Sequence, residues 1–224
     1  MGMPATRRHW TTADVRALMD ESRAWPRYEL IGGELLVTPA PGGRHQVAVV
    51  EIVVLLHEYL RQEQIGVAFV SPSDLELQPG TITQPDVFVV PAGAAASLDG
   101  EFHWSDVSAL LLAIEVISPS SVRTDRVEKR EYYLEAGVPD YLIVDVDARI
   151  VERWSPERDT PAVLRDHLVW HPAGASQPLT VSLPEFFDRI VGKLRLLENR
   201  PDSESAPRSD RTALSTHHLR RRSP

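Results

Sequence analysis

The chain reads as an α/β (α+β) domain, a mixed central sheet flanked by helices and preceded by an N-terminal helix and a β-hairpin. Three observations lead there. Short β-rich runs fill the middle of the chain. Helical periodicities lie before, between and after them. A Gly-Gly pair separates two alternating segments near the start.

Taken in order, Thr11 or Thr12 is placed to cap a first helix to about Ser22, with Val15, Leu18 and Met19 on one face. RYELI and ELLVT around Gly32-Gly33 predict a hairpin. A long helix is expected from about Gly43 to Gln62, with Val47, Val50, Val54 and Leu55 at helical spacing. VAFVS, DLELQ, PDVFVV and LLLAIEVI are predicted strands. Thr124 begins a further helix, ended near Ala136 by Gly137, a residue suited to a left-handed cap. DYLIVDV and IVERW are two more strands turning at Asp147-Ala148, and LPEFFDRIVGKLRLL is a last helix.

Composition narrows the function. No cysteine is present, which excludes disulfides, thiolate metal sites and cysteine nucleophiles. No apolar run approaches the roughly 18 residues of a membrane span, and the first residues lack a signal-peptide core. A soluble, cytoplasmic protein is expected. The net charge is −8; six Arg and three acidic residues give the segment from Asn199 onward +3, so the rest carries −11. That balance argues against a protein that coats DNA through a basic face. Three regions are expected: a flexible start (1–10), one domain (11–198) and a disordered Arg/Ser/Pro-rich tail (199–224), too poor in apolar residues to pack.

LLLAIEVI is apolar apart from Glu115 and should be buried on both faces. An unpaired carboxylate there costs several kcal/mol, so Glu115 is either ion-paired or set in a cleft. Asp86 follows Pro85, where a strand leaves its loop. A strand-capping role would explain Asp86 alone. Lys129 shares a helical face with Asp125, and an i,i+4 ion pair would explain it alone. His167 and His171 are four apart, but their segment alternates like a strand, against a zinc site.

YELIGGELL, QPDVFVV, LLLAIEVISPSS and DRVEKREYYLEAGVPDYLIVD, in that order, resemble the PD-(D/E)xK nuclease superfamily. The chain looks like the bacterial family called putative restriction endonucleases, over about Thr11 to Val191. The resemblance implies a restriction-endonuclease-like core and Mg²⁺-dependent hydrolysis of DNA phosphodiester bonds, with Mn²⁺ as a substitute. It assigns catalysis to Asp86, Glu115 and Lys129, with metal held by Asp86, Glu115 and the carbonyl of Val116. Glu34, beside Glu29 in the early acidic segment, and His45 are supporting candidates. The usual Glu-x-Lys would put lysine at position 117, where Ile117 stands; the family supplies it from the next helix, at Lys129. The implied partner is nucleic acid, DNA in the sense of the family, and a homodimer is expected only where both strands are cut. Two other readings stay open: an inactive nucleic-acid-binding module, and a structural protein whose Glu115 forms an internal ion pair.

Deleting residues from Asn199 onward should leave the thermal midpoint unchanged, because the tail offers little apolar surface. A melting curve of the truncated protein tests this; a large drop means that the tail packs.

Overall fold

The computed structural model describes residues 9–21, 25–95 and 103–198. The tail that the sequence reading treats as disordered lies outside them.

Helix α1 (Thr12–Glu21) starts at a reciprocal cap. The Thr11 hydroxyl accepts from the Asp14 N–H at 3.2 Å, and the Asp14 carboxylate accepts from the Thr11 N–H at 3.0 Å. Strands β1 (Arg27–Ile31) and β2 (Glu34–Thr38) form the expected hairpin. Its turn needs positive φ at both central residues, met by Gly32 (57°) and Gly33 (77°).

Helix α2 (Gly43–Glu63) leads to β3 (Gly66–Val70) and β4 (Val87–Pro91). A short α3 (Ala92–Ala95) precedes β5 (Leu112–Val116). Next, α4 (Val122–Thr124), a π-helical turn (Asp125–Lys129) and α5 (Arg130–Glu135) run on without a break, and Gly137 (φ 78°) closes them. β6 (Tyr141–Asp145), β7 (Ile150–Trp154), β8 (Ala162–Leu164), β9 (His167–Trp170), β10 (Leu179–Ser182) and α6 (Leu183–Glu198) complete the chain. None of the described helices is long and apolar enough to cross a membrane.

Strands β3 to β8 form one six-stranded sheet in chain order. Only β5 and β6 run parallel, because the helical crossover 122–135 separates them. One face, with Val87, Leu112, Ile114 and Val144, packs against Ile52 and Leu56 of α2 and Phe186 and Ile190 of α6. The two helices are also pinned by buried Glu51, which accepts from Arg189 at 3.1 Å and from Lys193. The other face, with Phe88, Ala113 and Ile143, packs against Tyr132 and Tyr133 of α5.

On α2, Ala48, Ile52 and Leu56 are buried, Val47 and Leu55 are partly buried against the core, and Val50 and Val54 are exposed. That helix is apolar on more than one side, so valine spacing alone could not say which side the sheet covers. Two local expectations are corrected. DLELQ is not a strand; Leu75 makes one isolated bridge to Thr83, in a segment bracketed by Pro72 and Pro79, which lack a ladder N–H. The helix from Thr124 is not regular, since it contains the π turn.

Ile52→Ala should cost about 2–5 kcal/mol by opening a cavity beneath the sheet. Val54→Ala, at a side chain 47% exposed, should change stability by no more than about 0.5 kcal/mol. Urea unfolding of the two variants measures the difference, and equal losses would place the packing face elsewhere.

Candidate active site

The register of β4 and β5 builds the site. Val87 pairs with Ile114 and Phe88 with Ala113, so one step further Asp86 stands opposite Glu115. The alternation of strand side chains puts both carboxylates on the α5 side of the sheet. Ser71 fixes the chain at this point, its hydroxyl donating to the Pro85 carbonyl at 2.7 Å.

Asp86 is buried and receives three donors. Arg27 reaches one oxygen at 3.2 Å; His45 Nε2, at 2.8 Å, and the Val116 N–H, at 2.9 Å, meet the other. Burial pushes its pKa up, but the hydrogen bond and charge of His45, the charge of Lys129 and the Val116 N–H outweigh it. The net shift is downward, and Asp86 stays ionised.

Lys129 enters from the end of the π turn and is fully enclosed. Its Nζ lies 2.9 Å from Glu115, 3.0 Å from Glu29 and 3.7 Å from Asp125. Burial alone would lower its pKa, yet the attraction of Glu115, Glu29 and Asp125 raises it well above the usual lysine value. One positive charge cannot neutralise three carboxylates. Glu115 is accordingly pushed well up, by burial first and then by Asp86, Asp125 and Glu29, against Lys129. Asp125 is raised to about 6, again chiefly by burial. Tyr141 on β6 holds the π turn in place, donating to the Asp125 carbonyl at 2.9 Å.

The hairpin closes the site. Leu30 and Ile82 exchange main-chain hydrogen bonds at 2.7 and 2.9 Å, and Glu29 accepts from the Gln84 N–H at 2.7 Å. Glu29 thus ties the loop before Asp86 to Lys129. A cavity of about 270 Å³ opens onto Asp86, Glu115, Val116, Asp125, Lys129 and His45.

A family model described as Uma2, putative restriction endonuclease, matches residues 14–188. The chain belongs to the Uma2 family. The fold recurs in the crystal structure of a protein described as a putative nuclease belonging to DUF820 from Anabaena variabilis. That protein is 24% identical, with a TM-score of 0.64 over 79% of this chain and 98% of its own. No curated protein matches.

Of the residues singled out in this Uma2 chain from its sequence, Asp86, Glu115, Val116, Lys129 and His45 come together at the cavity. Glu34 does not line it; that side chain is exposed at the start of β2. The hairpin's inward acid is Glu29. Arg27, Glu29 and Asp125 are the residues that the sequence reading passed over as site members. Alternation in RYELI, which puts Arg27 and Glu29 on one face, was the available signal. His167 and His171 are exposed and away from the cavity.

The donor set suits a hard cation, which takes carboxylate and carbonyl oxygens. Among the described residues no three His, Cys, Asp or Glu side chains converge as metal ligands. Two carboxylates with the Val116 carbonyl meet the smaller demand of Mg²⁺, which keeps several waters.

Asp125 also makes a stability prediction. Its folded pKa of about 6 lies above the ordinary 3.8. Between those values the folded state binds the extra proton, so stability falls as pH rises and levels off above about 6. Asp125→Asn, in chelator, should therefore be more stable than wild type at pH 7, by on the order of 3 kcal/mol at most. The gain should vanish below about pH 4. Denaturant titrations at the two pH values test it; a pH-independent difference would remove the buried-charge account.

Proposed function

We propose that this chain is a Mg²⁺-dependent endonuclease that hydrolyses phosphodiester bonds in DNA. The observation that carries the reading is the juxtaposition of ionised Asp86, Glu115 and the buried Lys129 ammonium on one cavity. Membership of a family described as putative restriction endonuclease supports it.

Asp86, Glu115 and the Val116 carbonyl would hold the cation. Bound there, a divalent ion makes water acidic enough to attack near neutral pH and offsets charge on phosphate. The chain's own residues do the rest. His45, Lys129 and the Val116 N–H keep Asp86 ionised, and Arg27, His45 and the Val116 N–H fix its direction. Lys129 Nζ, held by Glu115 and Glu29, presents a preorganised positive charge to the attacking water or to phosphate oxygens. Mn²⁺ has the same oxygen preference and would substitute.

Asp86→Asn and Glu115→Gln should each abolish metal-dependent cleavage, and Glu115→Gln keeps the volume while removing the charge. Lys129→Ala should lower the single-turnover rate about 10²–10³-fold while sparing metal binding. Ile117 packs on the same side of β5 as Ala113, the side that Glu115 faces. Adding Ile117→Lys to Lys129→Ala should therefore return part of the rate. Cleavage of plasmid and linear DNA under Mg²⁺ or Mn²⁺, with folding checked by circular dichroism, reads all four variants. Wild-type rates in Glu115→Gln would end the assignment.

A further inference from the structure

The cavity has a second wall that hydrolysis does not use. Trp25, just ahead of the hairpin, Leu36 of β2 on the same face as Arg27 and Glu29, and Pro39 and Pro41 after the hairpin line it. Trp25 is large, apolar and 39% exposed. The Arg27 guanidinium lies 4.7 Å from its ring centroid and 3.2 Å from Asp86. The aromatic ring is thereby tied, through one side chain, to the carboxylate floor.

We infer that this wall receives a nucleobase of an unpaired strand, stacked at Trp25, while the adjoining phosphate lies toward Lys129 and the cation that Asp86 and Glu115 would hold. The inference deepens the proposed function and rests on it for the position of the phosphate.

Three observations carry it. First, the apolar wall shares one cavity with Lys129 and with the carboxylates that would hold a cation; an apolar ring face suits the wall, and an anionic phosphate suits the ammonium and the cation. Second, about 270 Å³ is close to the scale of a single small-molecule pocket. Third, the chain ahead of the tail carries −11. Duplex DNA presents one negative charge per roughly 1.7 Å and is bound largely through many phosphate contacts. A strand held by base stacking at one aromatic residue needs fewer. A paired base would have to leave its stack to reach Trp25, so single strands, loops and flaps are the favoured substrates.

The test uses the full chain carrying Glu115→Gln, with labelled oligonucleotides of one sequence as single-stranded DNA, single-stranded RNA, duplex DNA and a base-free strand. Fluorescence anisotropy should show single strands bound at least about ten-fold more tightly than duplex or base-free strand. The DNA and RNA arms show whether the sugar matters. Trp25→Leu should weaken single-strand binding about ten-fold, and Trp25→Phe should keep most of it. Circular dichroism establishes that both fold. Equal affinity for duplex, or unaltered binding by Trp25→Leu, overturns the inference. Cleavage by the unmutated chain separates the two readings. Cutting duplex as fast as single strands overturns the inference and leaves the endonuclease standing. Single-strand binding lost with Trp25→Leu, with no cleavage of any nucleic acid, supports the stacking site and sinks the endonuclease.

Discussion

One buried ammonium organises this molecule. Lys129 is enclosed among Glu115, Glu29 and Asp125, which come from the central sheet, the N-terminal hairpin and the helical crossover. A lone ion in such a place would be severely penalised by the loss of water. The ammonium is therefore compensated fully only when all three elements are in place. The hairpin is bound to the domain by this charge as well as by the Leu30–Ile82 bridge and the small core around Val15.

Asp86 lives under the opposite regime. Its neighbours are donors, so it remains an anion although nearly as buried as Glu115. Two carboxylates one strand apart are thus driven in opposite directions, one down and one up. Such a split is common where side chains have distinct chemical tasks. It follows from which elements face each residue: β1, the start of α2 and the end of β5 for Asp86, and the π turn for Glu115.

Much of this was legible beforehand. The Gly-Gly hairpin, the buried strand interrupted by Glu115, the Pro-Asp at a strand entrance and the Gly137 terminator each rest on local chemistry, and each stands where expected. Of the candidate site residues, Glu115 was accessible because a charge in an apolar run demands an explanation, whereas Asp86 and Lys129 joined it through the family resemblance. What escaped depends on contacts between distant segments. Glu29 and Glu34 share a face of the hairpin and differ in where they lie along it: Glu34 sits at the turn, whereas Glu29 is beside Leu30, the residue docked on Ile82. The buried side of α2 depends on where the sheet lies, and valines on its other sides hid it. The π turn has no pattern of its own in DRVEKR. It becomes intelligible once Asp125 and Lys129 are both seen to point inward.

Placing the cation on the crossover has a further effect on how the molecule matures. A strand-borne lysine would be armed as soon as the sheet had formed. Here β4 and β5 can pair with Asp86 and Glu115 in position while the charge between the carboxylates is still missing. Only closure of 122–135 against Tyr141 supplies it. Under the proposed endonuclease mechanism, partly assembled chains, and native chains whose crossover has frayed open, would be chemically silent, and the segment would be a safety catch tying reactivity to the completed tertiary structure.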